Sequence, residues 1–423
     1  MEIDMLYSRR AFLKQTVCIF ASFGFSFIPS WAGSINLKQG LIKTKRSPYF
    51  KKLNNKSIMC TLCPKHCVVA DGQRGYCEVR ENREGIYYSL VYGNPCAVHI
   101  DPIEKKPFFH VLPGSGVFSI ATAGCNLDCK FCQNWEISQA KPEETLNYDL
   151  PPSKVVALAK EYNCSAIAST YVEPTIFYEY MYDIGRITAK ENILNTCHSN
   201  GYINPEPLKA LCKYLDAACI DLKAFSEKFY QQETEGNLAP VLNTLKILKE
   251  QGVHIEIVNL VIPTKNDNMK IIREMVEWIK ETLGSYIPLH FSRFYPRYKL
   301  KNLPPTPVQT LEQARDLALK AGLKYVYIGN VPGHPGENTY CPHCHKLIVR
   351  RLGYYIEAIY IKKGRCGYCG FPIYGVWSTK NSNTKANRFN TASKIKVAGI
   401  PKRGKNTRLV KMAPKAEPNK SVL

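Results

Sequence analysis

Apolar and β-branched runs alternate along this chain with segments whose apolar residues recur at helical spacing. The runs fall at residues 117–123, 165–170, 192–197, 217–222, 254–262, 289–294 and 324–328. Each has the length and composition of a strand buried on both faces. Between them lie 153–162, 205–215, 240–251, 267–282 and 310–321, where the apolar positions follow a period near 3.6. In the first of these, Ser153 reads as an N-cap and Val155, Val156, Leu158 and Ala159 as the inward face. Such alternation predicts a parallel sheet with right-handed crossovers, either a barrel or a doubly wound sheet. The strand ends decide between the two. The first run leads into a cysteine loop and the second into Thr170-Tyr171-Val172-Glu173-Pro174-Thr175. The next four lead to His198-Ser199-Asn200-Gly201, Asp221-Leu222-Lys223, Pro263-Thr264-Lys265-Asn266-Asp267 and Ser292-Arg293-Phe294-Tyr295-Pro296. Polar groups gathered at the C-terminal edges of consecutive strands are the habit of (β/α) barrels, so the expected fold class is α/β with a barrel.

The 423 residues allow one large domain plus smaller modules. The net charge of +22 invites a nucleic-acid reading, and its location removes it. Residues 378–423 carry twelve Lys and Arg against one acid, residues 1–60 carry ten against two, and the middle of the chain is left at only +3. The basicity sits in the ends and not on a folded binding face. The C-terminal tail, 378–423, has no apolar period and reads as a disordered, solvated segment. At the other end, Ser8-Arg9-Arg10-Ala11-Phe12-Leu13-Lys14 precedes a charge-free stretch from 15 to 31. This pattern looks like a twin-arginine export signal with a cleavage site after Ala32; a short uncleaved membrane anchor is the competing reading. The expected organisation is a signal (1–32), a linker (33–57), a cysteine-rich module (58–116), a barrel (117–330), a second cysteine module (331–377) and the tail.

Seventeen cysteines need an explanation. Eleven of them fall into three tight groups with metal-ligand spacing, which favours metal sites over a disulfide framework. Cys96, Cys164, Cys197, Cys212 and Cys219 mostly sit in apolar runs and read as core. The central group, Cys125, Cys129 and Cys132, has C-x3-C-x2-C spacing with Phe131 just before the last cysteine. A cubane iron-sulfur cluster takes four thiolates, one per iron. Three ligands in one loop leave an iron open to a substrate or cofactor, unless a distant cysteine completes a zinc or electron-transfer site. Upstream, Cys60, Cys63, Cys67 and Cys77 fall within eighteen residues and suit zinc or an auxiliary iron-sulfur cluster. Downstream, Cys341, Cys344, Cys366 and Cys369 form two C-x2-C knuckles close to a zinc-ribbon spacing.

The three-cysteine loop resembles that of the radical S-adenosylmethionine (SAM) superfamily, in which SAM chelates the open iron of a 4Fe-4S cluster. The resemblance implies an incomplete six-strand barrel and reductive cleavage of SAM to a 5′-deoxyadenosyl radical, with the protein orienting the cofactor. Phe131, Gln133 and Thr170 then become candidate cofactor contacts. Glu173 is a candidate acceptor for the methionine ammonium, or alternatively a helix N-terminal carboxylate; Tyr171-Val172-Glu173 stands where the superfamily often has Gly-Gly-Glu. Ser199 and Asn200 suit the ribose or carboxylate. His290 is placed near the adenosine, with a buried hydrogen-bonded histidine as the alternative. Asp221-Leu222-Lys223 resembles the Asp-Leu-Lys motif of pyruvate formate-lyase activating enzymes, which gives Asp221 and Lys223 catalytic roles, Lys223 on the SAM carboxylate.

A longer set of segments is similar to the radical SAM enzyme of the AmmeMemoRadiSam system: Asp101-Pro102-Ile103-Glu104-Lys105-Lys106-Pro107, Cys132-Gln133-Asn134-Trp135-Glu136 and Gly333-His334-Pro335-Gly336-Glu337-Asn338. That resemblance implies Memo-family and AMMECR1-family partners, besides a low-potential electron donor. Three functions compete: hydrogen abstraction from a protein or small molecule, activation of a glycyl-radical enzyme, and non-catalytic electron transfer. Export implies a periplasmic or membrane-associated protein, whereas SAM and strong reductants belong to the cytoplasm.

Overall fold

A computed structural model describes residues 36–379. The expected export signal and nearly all of the basic tail lie outside the described residues. At the centre is an eight-stranded sheet: β1 (Ala97–Pro102), β2 (Gly116–Ala121), β3 (Ala166–Ser169), β4 (Leu194–Ser199), β5 (Ala217–Asp221), β6 (His254–Val261), β7 (Leu289–Arg293) and β8 (Val326–Gly329). Spatial order follows chain order. Strands β2 to β8 are parallel, and β1 runs antiparallel on β2. The first and last strands do not pair, so the barrel is open. The six expected β/α units are β2 to β7; β8 adds a seventh parallel strand.

Helices α1 (Pro152–Glu161), α2 (Tyr178–Thr188), α3 (Pro205–Leu211), α4 (Glu227–Thr234), α5 (Leu238–Glu250), α6 (Met269–Trp278) and α7 (Val308–Lys320) fill the crossovers. In α6, Asn268 caps the amides of Lys270 and Ile271 while Ile272, Met275 and Val276 point inward, so cap and period agree. Ser153 does not cap α1. That helix starts at Pro152 behind Pro151, because a proline at the first helical position has the required φ and no amide to satisfy.

Alternate strand residues divide into two layers. Phe118, Ile120, Ile167, Ile257, Leu289 and Phe291 pack in the large core with the helices. Val117, Ala166, Ala168, Leu194, Ala217, Cys219 and Val258 form a second cluster with Ile103, Phe108, Val111, Leu112 and Val376. Segment 103–112 therefore plugs the inner face of the sheet.

The stretch expected to be a linker is structured. Leu37–Gln39 pairs with Leu146–Tyr148, Lys45–Arg46 with Ile86–Ser89, and Phe50–Lys52 with Ile58–Cys60. Lysine-rich, exposed edge strands carry little apolar pattern, which is why the sequence reads as a connector. The cysteine-rich module likewise ends before residue 97, since β1 belongs to the barrel sheet. Among the described residues no helix is long and apolar enough to cross a membrane.

Candidate active site

The loop after β2 carries Cys125, Cys129 and Cys132, and its path is fixed by backbone bonds. Gly124 has φ +91, and a Cβ there would meet the Cys77 carbonyl at 2.6 Å, so only glycine fits. The amides of Asp128 and Lys130 donate to the carbonyls of Thr234 and Glu233 at 3.1 and 3.0 Å. Buried Asn126 donates to the Tyr202 carbonyl (2.8 Å) and accepts from Asn200 Nδ2 (2.9 Å). Ser138 Oγ lies 3.3 Å from Cys132 Sγ. Burial pushes the Cys129 thiol up to about 12 although Lys223 beside it acts the other way. Bound iron supplies the charge that such buried thiols need to ionise.

At the mouth of the inner face, Asp221 ends β5 two residues beyond Cys219. His198 Nε2 lies 2.8 Å from Asp221 Oδ1, and Lys223 Nζ donates to Oδ2 at 2.9 Å. Burial would raise the Asp221 carboxyl, but Lys223 and His198 outweigh it and hold it well below the usual carboxylate range. Burial would lower the Lys223 ammonium, yet Asp221 and Cys129 hold it far above the ordinary lysine value. Lys223 Nζ also sits 5.8 Å from the centre of the buried Phe131 ring, and its amide donates to Tyr230 Oη at 3.1 Å. Asp221 and Lys223 therefore stand together beside the loop residue Phe131. His198 completes the group; its parity with Leu194 and Thr196 on the inner face is the sequence signal that could have singled it out.

Glu173 lies near Cys125, but its carboxylate is already occupied. Oε1 accepts from Thr175 N (2.9 Å), Thr175 Oγ1 (2.6 Å) and Ser199 Oγ (2.8 Å), and Oε2 from Asn200 N (2.7 Å). Glu173 caps the short helix Pro174–Phe177 and ties the end of β3 to that of β4. Ser199 and Asn200 are spent in this brace. The alternative of a helix N-terminal carboxylate is the one realised, with Oε2 as the acceptor retaining capacity toward the site. Thr170 is buried, its amide bonded to the Ile120 carbonyl (3.0 Å), and Gln133 is exposed on the loop.

His290 is a correction. It is fully buried near the start of β7, with Nε2 2.8 Å from Glu256 Oε2, so it lies at the floor of the inner face and not at the adenosine end. Glu256 also accepts from the amides of Phe109 (3.0 Å) and His110 (2.8 Å) in the plug. Parity put His290 on the inner face; its height along the strand decided against cofactor contact.

Of the flanking groups, the four downstream cysteines converge. The sulfurs of Cys341, Cys344, Cys366 and Cys369 all lie within 4.8 Å of one another, an arrangement that could hold one metal ion. Among the described residues neither Cys125, Cys129 and Cys132 nor Cys60, Cys63, Cys67 and Cys77 close to that spacing. The additional cysteines read as core are buried, except Cys96, which is partly exposed.

An open α/β barrel whose first parallel strand, β2, leads into a loop of three cysteines at the C-terminal edge, beside a half-buried Asp–Lys–His group, is suited to holding an iron-sulfur centre. Residues 119–279 match the Radical SAM superfamily, and the chain belongs to that superfamily. It is 45% identical over 331 residues to the uncharacterized protein MJ0808 of Methanocaldococcus jannaschii, covering 78% of this chain and 98% of the relative. A second protein of that organism, the uncharacterized protein MJ0674, is 26% identical over 285 residues, covering 63% and 76%. Among solved structures, the chain is similar to a radical SAM methyltransferase from Sphaerobacter thermophilus (13% identity, 70% and 81% covered, TM-score 0.43). It is also similar to a domain of pyruvate-formate lyase-activating enzyme from Bacteroides vulgatus (15% identity, 38% and 98% covered, TM-score 0.35).

Proposed function

We propose that this protein reductively cleaves SAM at a 4Fe-4S cluster held by Cys125, Cys129 and Cys132, and directs the resulting radical to hydrogen abstraction from a protein or small-molecule substrate. The observation that carries the reading is the Lys223–Asp221 ion pair at the mouth of the inner face, with Lys223 Nζ 5.8 Å from the ring of Phe131 in the cysteine loop. A 4Fe-4S cluster held by these cysteines, with SAM bound, would supply a 5′-deoxyadenosyl radical after one-electron reduction. The chain's own residues orient and protect. Lys223 presents a fixed ammonium suited to the SAM carboxylate, and Asp221 keeps it charged and aimed. The Glu173 brace holds the ends of β3 and β4 against the loop. The plug below the inner face excludes water, which is how an active site guards a reactive intermediate.

Anaerobic reconstitution followed by dithionite and SAM tests the reading. The expected products are methionine and 5′-deoxyadenosine, lost in Cys129→Ala; retained turnover in that variant refutes the ligand assignment, and no cleavage by the intact protein refutes the function. The Asp221-Leu222-Lys223 motif supports a narrower reading as a glycyl-radical-enzyme activase. An EPR doublet on a candidate partner would support that role, and hydrogen transfer without one would exclude it. For the ribbon we infer zinc, because sulfur–sulfur distances of 3.7 Å for Cys341–Cys369 and Cys344–Cys366 match a tetrahedral edge of about 3.8 Å from Zn–S bonds of about 2.3 Å. The family resemblance supports Memo-family and AMMECR1-family proteins as partners, which co-purification would test.

A further inference from the structure

The two backbone bonds that hold the cysteine loop straddle Cys129: the Asp128 amide on the Thr234 carbonyl and the Lys130 amide on the Glu233 carbonyl. Both carbonyls belong to the last turn of α4, which ends at Glu235 with φ +57 and ψ +31. A Cβ on the next residue, Gly236, would stand 2.8 Å from Leu127 Cδ2, so the loop also packs against the backbone there. Residues 233–236 form a cradle whose shape depends on the left-handed turn at Glu235. That conformation crowds the Cβ of any residue but glycine, and a glutamate holds it only where its surroundings impose it.

Those surroundings come from the N-terminal module. Lys65 Nζ donates to the Glu235 carbonyl at 2.6 Å, and Tyr76 Oη donates to Glu235 Oε2 at 2.7 Å. Lys65 Nζ sits 3.8 Å from the centre of the Tyr76 ring, so the two side chains brace each other. The turn that carries Tyr76 is itself set. The Tyr76 amide donates to Cys67 Sγ at 3.4 Å, and Gly75 before it has no room for a side chain, because a Cβ would stand 2.5 Å from Tyr87 Oη. Tyr76 is 39% exposed, so what fixes it to Glu235 is the hydroxyl bond and not burial of the ring.

A second line runs from the same module to the same loop. The carbonyls of Thr61 and Leu62 accept from Asn204 Nδ2 (2.8 Å) and the Asn204 amide (3.0 Å). Two residues earlier, the Tyr202 carbonyl accepts from Asn126, beside Cys125. Tyr202 Oη donates to Asn237 Oδ1 at 3.0 Å, which joins the two lines just past the cradle.

We propose that Lys65 and Tyr76 are positioning residues for the cysteine loop. By holding Glu235 in its left-handed turn, they aim the carbonyls of Glu233 and Thr234 at the amides on either side of Cys129. The N-terminal module, which lies outside the superfamily match of residues 119–279, thereby completes the site. That the loop serves SAM cleavage rests on the function proposed above; the clamp does not.

The test is amide hydrogen exchange on the full chain, reconstituted anaerobically with iron and sulfide, with the rate of iron release to a chelator as a second readout. In Tyr76→Phe, exchange across 124–132 and iron release should each rise about three- to tenfold, as for loss of one partly exposed hydrogen bond, while β2 and β3 keep their protection. Lys65→Met should act alike. Glu235→Ala loses the carboxylate and disfavours the turn, so it should match Tyr76→Phe. Glu235→Gly takes the left-handed turn at no steric cost; it should keep the loop protected, and adding Tyr76→Phe to it should change nothing further. Loop exchange unchanged in Tyr76→Phe, exchange raised equally throughout the barrel, or a full effect of Tyr76→Phe in the Glu235→Gly background overturns the proposal. A chain that follows the expected pattern yet leaves SAM intact would sink the proposed function and leave the clamp standing.

Discussion

The N-terminal cysteine module is fastened to the barrel by one buried ion pair, and breaking it on one side should cost far more than removing it altogether. Arg80, in the strand Arg80–Arg83, meets Glu179 on α2 in a two-pronged contact of 2.9 and 2.5 Å. The two side chains are only 1% and 5% exposed. Two further guanidinium donors are used: Nε reaches the Ile176 carbonyl (3.1 Å), and Nη1 reaches Ser47 Oγ (3.1 Å). Glu179→Ala therefore strands a buried, always-charged group. Loss of one partner of such a pair costs about 3–5 kcal/mol, which in a chain this large lowers Tm by on the order of 5–10 °C. Arg80→Met/Glu179→Leu removes both desolvation penalties and keeps the volume, so it should fall within about 1 kcal/mol of the parent or exceed it. Thermal unfolding of the two variants, with hydrogen exchange across 58–91 to locate the effect, gives the comparison. A Glu179→Ala shift below about 1 °C, or a double variant no better than the single one, would refute the assignment of this pair as the fastening.

Three further outcomes follow from the same structure. Burial pushes the Glu104 carboxyl up to about 7, with Oε1 on the Gly114 amide (2.9 Å) and Oε2 unpartnered. The folded state therefore binds the proton more tightly than the unfolded chain, and its contribution is present below about pH 4.5 and lost as pH rises through 7, roughly 3 kcal/mol in all. Glu104→Gln should flatten the Tm profile between pH 5 and 7 and stabilise the protein at pH 8; parallel profiles would contradict this. Asp221→Asn should keep the iron content yet reduce 5′-deoxyadenosine formation by on the order of 10- to 100-fold, the value of a charge-assisted hydrogen bond of about 1.5–3 kcal/mol; unchanged cleavage would remove Asp221 from the site. Stripping the ribbon metal with a chelator should lower Tm before it affects SAM cleavage, and immediate loss of cleavage in a folded protein would show that the ribbon serves the chemistry directly.

The barrel was legible because its strands are continuous apolar runs and its chemistry collects where they end. What escaped notice had weaker local signals. The period of α2 is carried by Tyr178, Tyr180, Met181 and Ile184, and aromatic-rich segments pass as easily for strand. Strand β1 buries Asp101 and leaves His99 and Ile100 exposed, the reverse of an apolar pattern, because Asp101 is held by Lys105 (2.7 Å), Lys106 (2.6 Å) and Tyr171. The cysteine groups could be read from spacing alone. For Glu173 and His290 the sequence left a cofactor contact and a structural role open, and the choice between them depends on partners 26 and 34 residues away that only the folded register brings within reach.

Closure of the inner face from below explains why the ribbon is part of this molecule. The plug is held at three levels by residues far apart in the chain. Glu256 binds the amides of Phe109 and His110. Burial pushes the His110 ring down to about 3, so it is neutral: Nδ1 donates to the Tyr374 carbonyl (2.5 Å) and Nε2 accepts from Tyr327 Oη (2.6 Å). From the ribbon, Arg351 donates to the carbonyls of Phe109 (2.8 Å) and Glu337 (3.2 Å), and the Leu112 amide bonds the Val376 carbonyl (2.9 Å). The floor is closely tied to the plug and the ribbon, with Glu104 Oε2 and Arg351 Nε left without a partner. A substrate must then approach from the C-terminal edge of the strands, past Lys223 and the 125–132 loop. A metal held by the ribbon cysteines would fix the segments that carry Arg351 and Val376 and so close the site from the side opposite to its mouth.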